Sequence, residues 1–428
     1  MSKQGGLLQL VATGRQDIYL TGNPQTTFFK QVYKRHTNFS METQRIVFET
    51  AVDFNKLVTT TIPRSGDLLT QLMLEIQLPY ITPNGPLTEG SPEPPTPPIG
   101  TDTSWVNGIG YAMIDYVSIL IGQVEIDRQY GEWMYLWNKL RTPGSKQAGF
   151  SYMIGSQEAY DDGSQHGPLR LFVPLNFWFC NNVGLALPLI ALQSTPIRIY
   201  IKLKNGYDMV YSTQYESDPA YRIGAPPIIT DMILWGDFIY LDTEERRRFT
   251  SSKHEYLIEQ SQIQRRVSVP ANSVYANVEL NFNHPLKEIV WVCQQDRMQT
   301  LREWFNYGSR TYREYPYLNT DLINTAVLQL DGYDRFEKRS APYFRLVQPW
   351  QYHTAIPNDF IYVYSFSLAP EASQPQGTCN ASRIDTMILQ VETNQSLATK
   401  YDMGITVYAT NYNILRIVAG LGGLLFTV

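Results

Sequence analysis

Five histidines, His36, His166, His254, His284 and His353, are the side chains best suited to holding a metal or moving a proton near neutral pH. None falls in an HxH, HExxH or HxxxH spacing, so the histidine pair that a cupin-type metal enzyme needs is missing. Cys180, Cys293 and Cys379 stand far apart with no CxxC pair, which excludes a zinc ribbon or a redox dithiol. They read as buried thiols of a reducing compartment. Asp161 and Asp162 sit in the polar run DDGSQHG, which reads as a turn rather than as a carboxylate pair for acid–base work. Gly144-Ser-Lys146 lacks the upstream glycine of a phosphate loop. AGLGGLLF has only five residues after Gly423, too few for a phosphate-holding helix. No GxSxG occurs. These absences predict a protein that is not an enzyme and needs no cofactor or metal.

Charge narrows the partners. The chain has 428 residues, 35 basic and 40 acidic, for a net charge of −5. A protein that coats a genome neutralises phosphates with clustered Lys and Arg. Here the first forty residues carry Lys3, Arg15, Lys30, Lys34 and Arg35 against Asp17, an arm too sparsely basic for packaging. Direct nucleic-acid contact is not expected. Arg246–Arg248 follow two glutamates in DTEERRRF and read as a solvated helix face. No signal peptide, myristoylation signal or run of 18 apolar residues is visible. The sequons at Asn38, Asn380 and Asn394 are therefore expected to go unused.

The elements that must carry these residues are mostly strands. Only 18% of residues are charged, while 29 Tyr, 18 Phe, 8 Trp and 26 Pro favour pleated surfaces and punctuated loops. LMLEIQLP alternates Leu72, Leu74, Ile76 and Leu78 with Glu75 and Gln77. PIRIYIKLK and VYANVELNFN alternate in the same way. Each predicts a strand with one buried and one wet face, and such strands need a second apolar layer, as in a sandwich or barrel. Helices are few. GEWMYLWNKL sets Trp133, Leu136, Trp137 and Leu140 on one face, a helix expected to lie over a sandwich edge. DTEERRRF opens with a capping-box pair, Asp242 and Glu245, and spaces Glu244 and Arg248 at i,i+4.

Seven prolines, Pro83, Pro86, Pro92, Pro94, Pro95, Pro97 and Pro98, crowd the run PNGPLTEGSPEPPTPP and predict an exposed, polyproline-like loop. A faint internal repeat relates ILIGQVEIDR (119–128) to LQLDGYDRFE (328–337), each a strand, a turn at Gly122 or Gly332, and a second strand. LFVPLNFWF and FIYVYSFSLAP are a second pair, followed by the strands PIRIYIKL and DTMILQV. Two related β-domains in tandem explain both pairs. The expected division is an arm at 1–25, a first domain at 26–223 and a second at 224–428, cut in RIGAPPI near Gly224–Pro227.

Six stretches carry a family resemblance. The opening GGLLQLVATGRQDIYLTGNPQTTFFKQVYKRHTNFSMET, YGEWMYLWNKL, LFVPLNFWFCNNVGLALPLIAL, LDTEERRRF with HEYLIEQ, YSFSLAPEASQPQGTCNASRID and NYNILRIVAGLGGLLF resemble, in order, the major capsid proteins of nucleocytoplasmic large DNA viruses (iridoviruses, phycodnaviruses and relatives). The resemblance implies an all-β chain of two tandem eight-stranded jelly-roll sandwiches with a few short helices. It further implies a homotrimer of pseudo-hexagonal outline and an icosahedral shell over an internal membrane. Its partners would be copies of itself, neighbouring capsomers, and minor capsid and penton proteins, with assembly in the host cytoplasm. Two readings stand beside it, a paralogous minor capsid component and a glycan-binding jelly-roll protein. The arm residues Gly5, Gly6, Leu7, Leu8, Leu10, Asn23, Pro24, Phe28, Phe29 and Tyr33 fit no strand pattern and are expected on an inner face that ties copies together. The proline loop is expected at the outward tip.

Overall fold

A computed structural model describes residues 5–86, 103–156, 168–216, 218, 222–311, 319–394 and 401–427. Met1–Asn38 forms one unit and Phe39–Val428 another. In the first unit the described chain holds a short helix, α1 (Gly5–Val11), a single turn at Ile18–Thr21, and no buried residue.

The second unit is built from sixteen principal strands. The first eight are β1 (Phe39–Ile46), β2 (Leu57–Thr61), β3 (Leu68–Leu78), β4 (Ile114–Ile121), β5 (Val124–Tyr130), β6 (Leu169–Pro174), β7 (Ile197–Leu203) and β8 (Asp231–Leu241). They form two antiparallel sheets, ordered β1-β8-β3-β6 and β2-β7-β4-β5. The next eight are β9 (His254–Val269), β10 (Tyr275–Glu279), β11 (Pro285–Gln295), β12 (Ile323–Leu330), β13 (Tyr333–Asp334), β14 (Tyr362–Ser365), β15 (Met387–Thr393) and β16 (Met403–Val418). Their sheets are ordered β9-β16-β11-β14 and β10-β15-β12-β13. Adding eight to each strand of the first sandwich reproduces the second. Each is a jelly roll, in which the last strand returns between the first and third.

The internal repeat has a structural cause. Gly122 turns β4 into β5 and Gly332 turns β12 into β13, with φ of +66° and +82°. Both are two-residue hairpin loops, and the right-handed twist of the flanking strands requires positive φ there. The second sequence pair falls on β6 and β14, and the strands after it are β7 and β15.

One boundary shifts. The expected cut at Gly224 would assign β8 to the second domain, yet β8 ladders between β1 and β3 of the first. The change of sandwich comes after Leu241. RIGAPPI is a loop inside the first domain, where Gly224 N–H donates to Pro83 O at 3.0 Å.

Alternation in β7 behaves as expected, with Ile197, Ile199, Ile201 and Leu203 buried and Arg198 and Lys202 half-exposed. In β3 the supposedly wet Glu75 is buried. It accepts hydrogen bonds from Trp235 Nε1 (2.7 Å) and Arg170 Nε (2.6 Å), and these hold its carboxyl below the ordinary range despite burial. In β11 both faces are buried. Ile289, Trp291 and Cys293 enter the second sandwich's core, while Val290 and Val292 join a cluster running into the first. A strand covered on both sides loses its alternation, as LKEIVWVC does.

Candidate functional site

In a protein whose sequence offers no catalytic set, the functional candidates are surfaces. The arm residues are the most exposed apolar set described: Leu7, Leu8 and Leu10 on α1, then Phe28 (95% exposed), Phe29 (98%) and Tyr33. Gly5 and Gly6 open α1, and Asn23 takes positive φ (49°) ahead of Pro24. Exposed apolar side chains in such number mark a candidate interaction surface.

Of the proline loop, Pro83 and Pro86 lie on a small hairpin of Ile81–Thr82 against Gly85–Pro86, closed by Thr82 Oγ1 donating to Gly85 O at 2.8 Å. Pro92, Pro94, Pro95, Pro97 and Pro98 lie outside the described residues. So do Asp161, Asp162 and His166. Among the sequons, Asn38 is exposed. Asn380 accepts Ser382 N–H on its side-chain oxygen (3.2 Å). Asn394 is half-buried and donates to Asp321 O at 3.2 Å, so its amide is engaged.

The sequence reading missed the seam between the sandwiches. GEWMYLWNKL forms α2 (Gly131–Arg141) directly after the edge strand β5, and it is covered there rather than exposed: Trp133, Met134, Tyr135, Leu136, Trp137, Lys139 and Leu140 are all buried. A helix apolar all round belongs between layers, and five consecutive large apolar residues were the available signal. Glu132 accepts hydroxyl hydrogen bonds from Tyr307 (2.9 Å) and Tyr408 (2.6 Å) of the second sandwich. Trp133 packs on Tyr408 and Tyr135 stacks on Phe305. Lys139 pairs with Asp359 at 3.3 Å, and Ala355 N–H donates to Leu140 O at 2.8 Å. Beside the helix, Asp127 of β5 accepts Ser261 N–H (3.1 Å) from β9, and Ser261 Oγ donates to Arg128 O (2.7 Å). Arg302 pairs with Asp208 at 3.0 Å and Trp304 Nε1 donates to Asp208 O at 2.9 Å. Hydrogen bonds, ion pairs and stacked rings on several elements fix the angle between the sandwiches.

α3 (Gly144–Ile154) follows α2. At α4 (Thr243–Ser251), Asp242 caps Glu245 N–H at 2.9 Å. Arg248 pairs with Glu245 (3.1 Å) rather than Glu244, and Arg246 reaches Asp67 (3.1 Å). The three cysteines are free; Cys293 is buried as expected, whereas Cys180 and Cys379 are half-buried, and burial pushes the Cys180 and Cys293 thiols up to about 12, away from the reactive thiolate. Among the described residues, no group of three or more His, Cys, Asp and Glu could hold a metal, and no helix is long and apolar enough to cross a membrane.

Two eight-stranded sandwiches of identical strand order, clamped by a buried helix, define the double jelly-roll class of proteins. The model of the large eukaryotic DNA virus major capsid protein matches residues 245–423, and that of the major capsid protein N-terminus matches 27–242. The chain is 37% identical to the major capsid protein of Pyramimonas orientalis virus, with 99% of each chain covered. It is 35% identical to that of Phaeocystis pouchetii virus, again with 99% of each covered. Among solved structures it is similar to the PBCV-1 virus capsid quasi-atomic model, at a TM-score of 0.75 and 28% identity, covering 94% of this chain and 100% of that one. The chain belongs to the major capsid protein family of large eukaryotic DNA viruses, and it is a structural capsid protein rather than an enzyme.

Proposed function

We propose that this chain self-assembles into homotrimeric capsomers of pseudo-hexagonal outline that tile the icosahedral shell of a large DNA virus. The repeated strand order carries the reading: two like lobes per chain, clamped at a fixed angle, become six like lobes around a three-fold axis. Six such lobes tile a hexagonal lattice although the symmetry is only three-fold.

The parts take separate roles in this reading. The arm, through Gly5–Leu10 and Asn23–Tyr33, lies on the inner side and ties each capsomer to its neighbours or to minor and penton proteins near a viral membrane. The first sandwich runs through Leu241 and the second from His254. The 83–98 loop forms the outward tip. Assembly takes place in the host cytoplasm, without direct contact to nucleic acid. Sizing of the purified protein tests the central claim. A particle about three times 49.1 kDa with a hexagonal outline in negative stain is expected. A monomer with saturable sugar binding would overturn it.

A further inference from the structure

His353 follows the short helix Gln348–Tyr352, and its side chain has no solvent exposure. Its Nε2 lies 3.0 Å from Glu288 Oε2 and its Nδ1 lies 3.1 Å from Glu371 Oε1. A neutral imidazole has one N–H and one lone pair, so one nitrogen would then face a carboxylate with a lone pair. Only the imidazolium sets positive charge against both carboxylates, as a hydrogen bond to Glu371 and as an ion-pair contact with Glu288, whose Oε2 and the His353 Nε2 have no hydrogen-bond partner among the described residues. The Glu288 side chain is fully buried, and its other oxygen accepts Thr410 Oγ1 at 3.2 Å. Glu371 also accepts Thr354 N–H at 2.9 Å and the Thr354 hydroxyl.

This cluster joins three parts of the second sandwich, namely β11, the segment after the Gln348–Tyr352 helix, and the loop after β14. The same segment grips the first sandwich. Ala355 N–H donates to Leu140 O, Asp359 pairs with Lys139, and the His353 ring meets Trp137 edge-on at 6.2 Å. The other charged groups on the surrounding elements are engaged. On β11, Lys287 pairs with Glu259 at 2.5 Å and lies over the Tyr412 ring of β16. On α2, Lys139 holds Asp359 and Glu132 holds Tyr307 and Tyr408.

We propose that the Glu288–His353–Glu371 cluster is a proton-dependent clasp on the seam. The imidazolium pins the 353–359 segment against α2, and its deprotonation in alkaline solution frees that segment and loosens the two lobes. Burial depresses the imidazole, but the charges of Glu288 and Glu371 and the hydrogen bond to Glu371 outweigh it and bring the pKa up to about 9. That lies above the ordinary value of 6.5. The stabilisation is therefore complete below about pH 6.5 and is lost as pH rises through about 9. Between those limits the opening constant grows by up to roughly tenfold per pH unit.

The test uses the full-length protein in its native assembly. Limited proteolysis within 353–378 and thermal melting are followed from neutral to about pH 10 for the native chain, His353→Gln and Glu371→Gln. Native cleavage in that segment should accelerate steeply toward about pH 9 while cleavage elsewhere does not. His353→Gln should be cut readily at every pH and should lack the alkaline step in melting. Glu371→Gln should move the step to lower pH. An alkaline step in His353→Gln equal to the native one would sink the proposal. So would native protection of 353–378 that stays flat through the range, a measurement that stands even where neither variant folds.

Discussion

Asp127 shows how one side chain couples the fold to pH. It is buried on β5, with Oδ1 accepting Ser261 N–H and Oδ2 accepting Gln129 Nε2–H at 2.9 Å. Burial pushes its carboxyl up to about 7, although the hydrogen bonds from Ser261, Gln129 and Arg128 pull the other way. A carboxyl raised in the folded state keeps a proton that the unfolded chain has released. Stability from this group therefore falls as pH rises from about 4 to about 7. Asp127→Asn should flatten the melting curve between about pH 5 and pH 8, gaining on the native chain toward the alkaline end. Melting temperatures for the two proteins that run parallel over that range would show that another group titrates. This effect lies in the acid-to-neutral window, below the one governed by His353.

At the scale of elements, α2 is the piece on which both lobes rest. It begins at Gly131, where an added Cβ would collide with the Tyr111 and Ile114 carbonyl oxygens, two backbone atoms that cannot swing aside. Gly131→Ala should cost about 3 kcal/mol, at the upper end of overpacking, read as a lowered urea midpoint with unchanged slope. A cost below about 0.5 kcal/mol would mean that the helix start relaxes freely. The sequence displayed part of this element and hid the rest. Helical spacing in GEWMYLWNKL is plain, and so is its apolar content, but the layer it would meet is more than 150 residues away, at Phe305, Tyr307 and Tyr408. Strands such as β7, with one core face, read correctly because alternation is local. The place of β8 was illegible for the opposite reason. Its partners β1 and β3 precede it by over a hundred residues, and the glycine–proline loop before it looks like a domain border. His353 carried no spacing signal either, since its partners Glu288 and Glu371 come from separate loops and strands.

At the scale of the whole molecule, shell building asks for a rigid body and a means of joining bodies. Rigidity comes from the seam and is a property of one chain. Joining draws on what one chain leaves unsatisfied. In residues 5–38 no side chain is buried, and the exposed leucines and phenylalanines there contribute no core. Burying a Leu or Phe is worth about 1.5–3 kcal/mol, and the described arm residues contribute none of that to folding. Deleting residues 1–25 separates the two roles. The melting temperature of the isolated protein should stay where it is, because no buried contact among the described arm residues is lost. Assembly into sheets or shells should fail, or require far higher protein concentration, as followed by light scattering and electron microscopy. If the truncated chain instead melts early, the arm belongs to the folded body. If it assembles at the native concentration, residues 1–25 are not what joins copies.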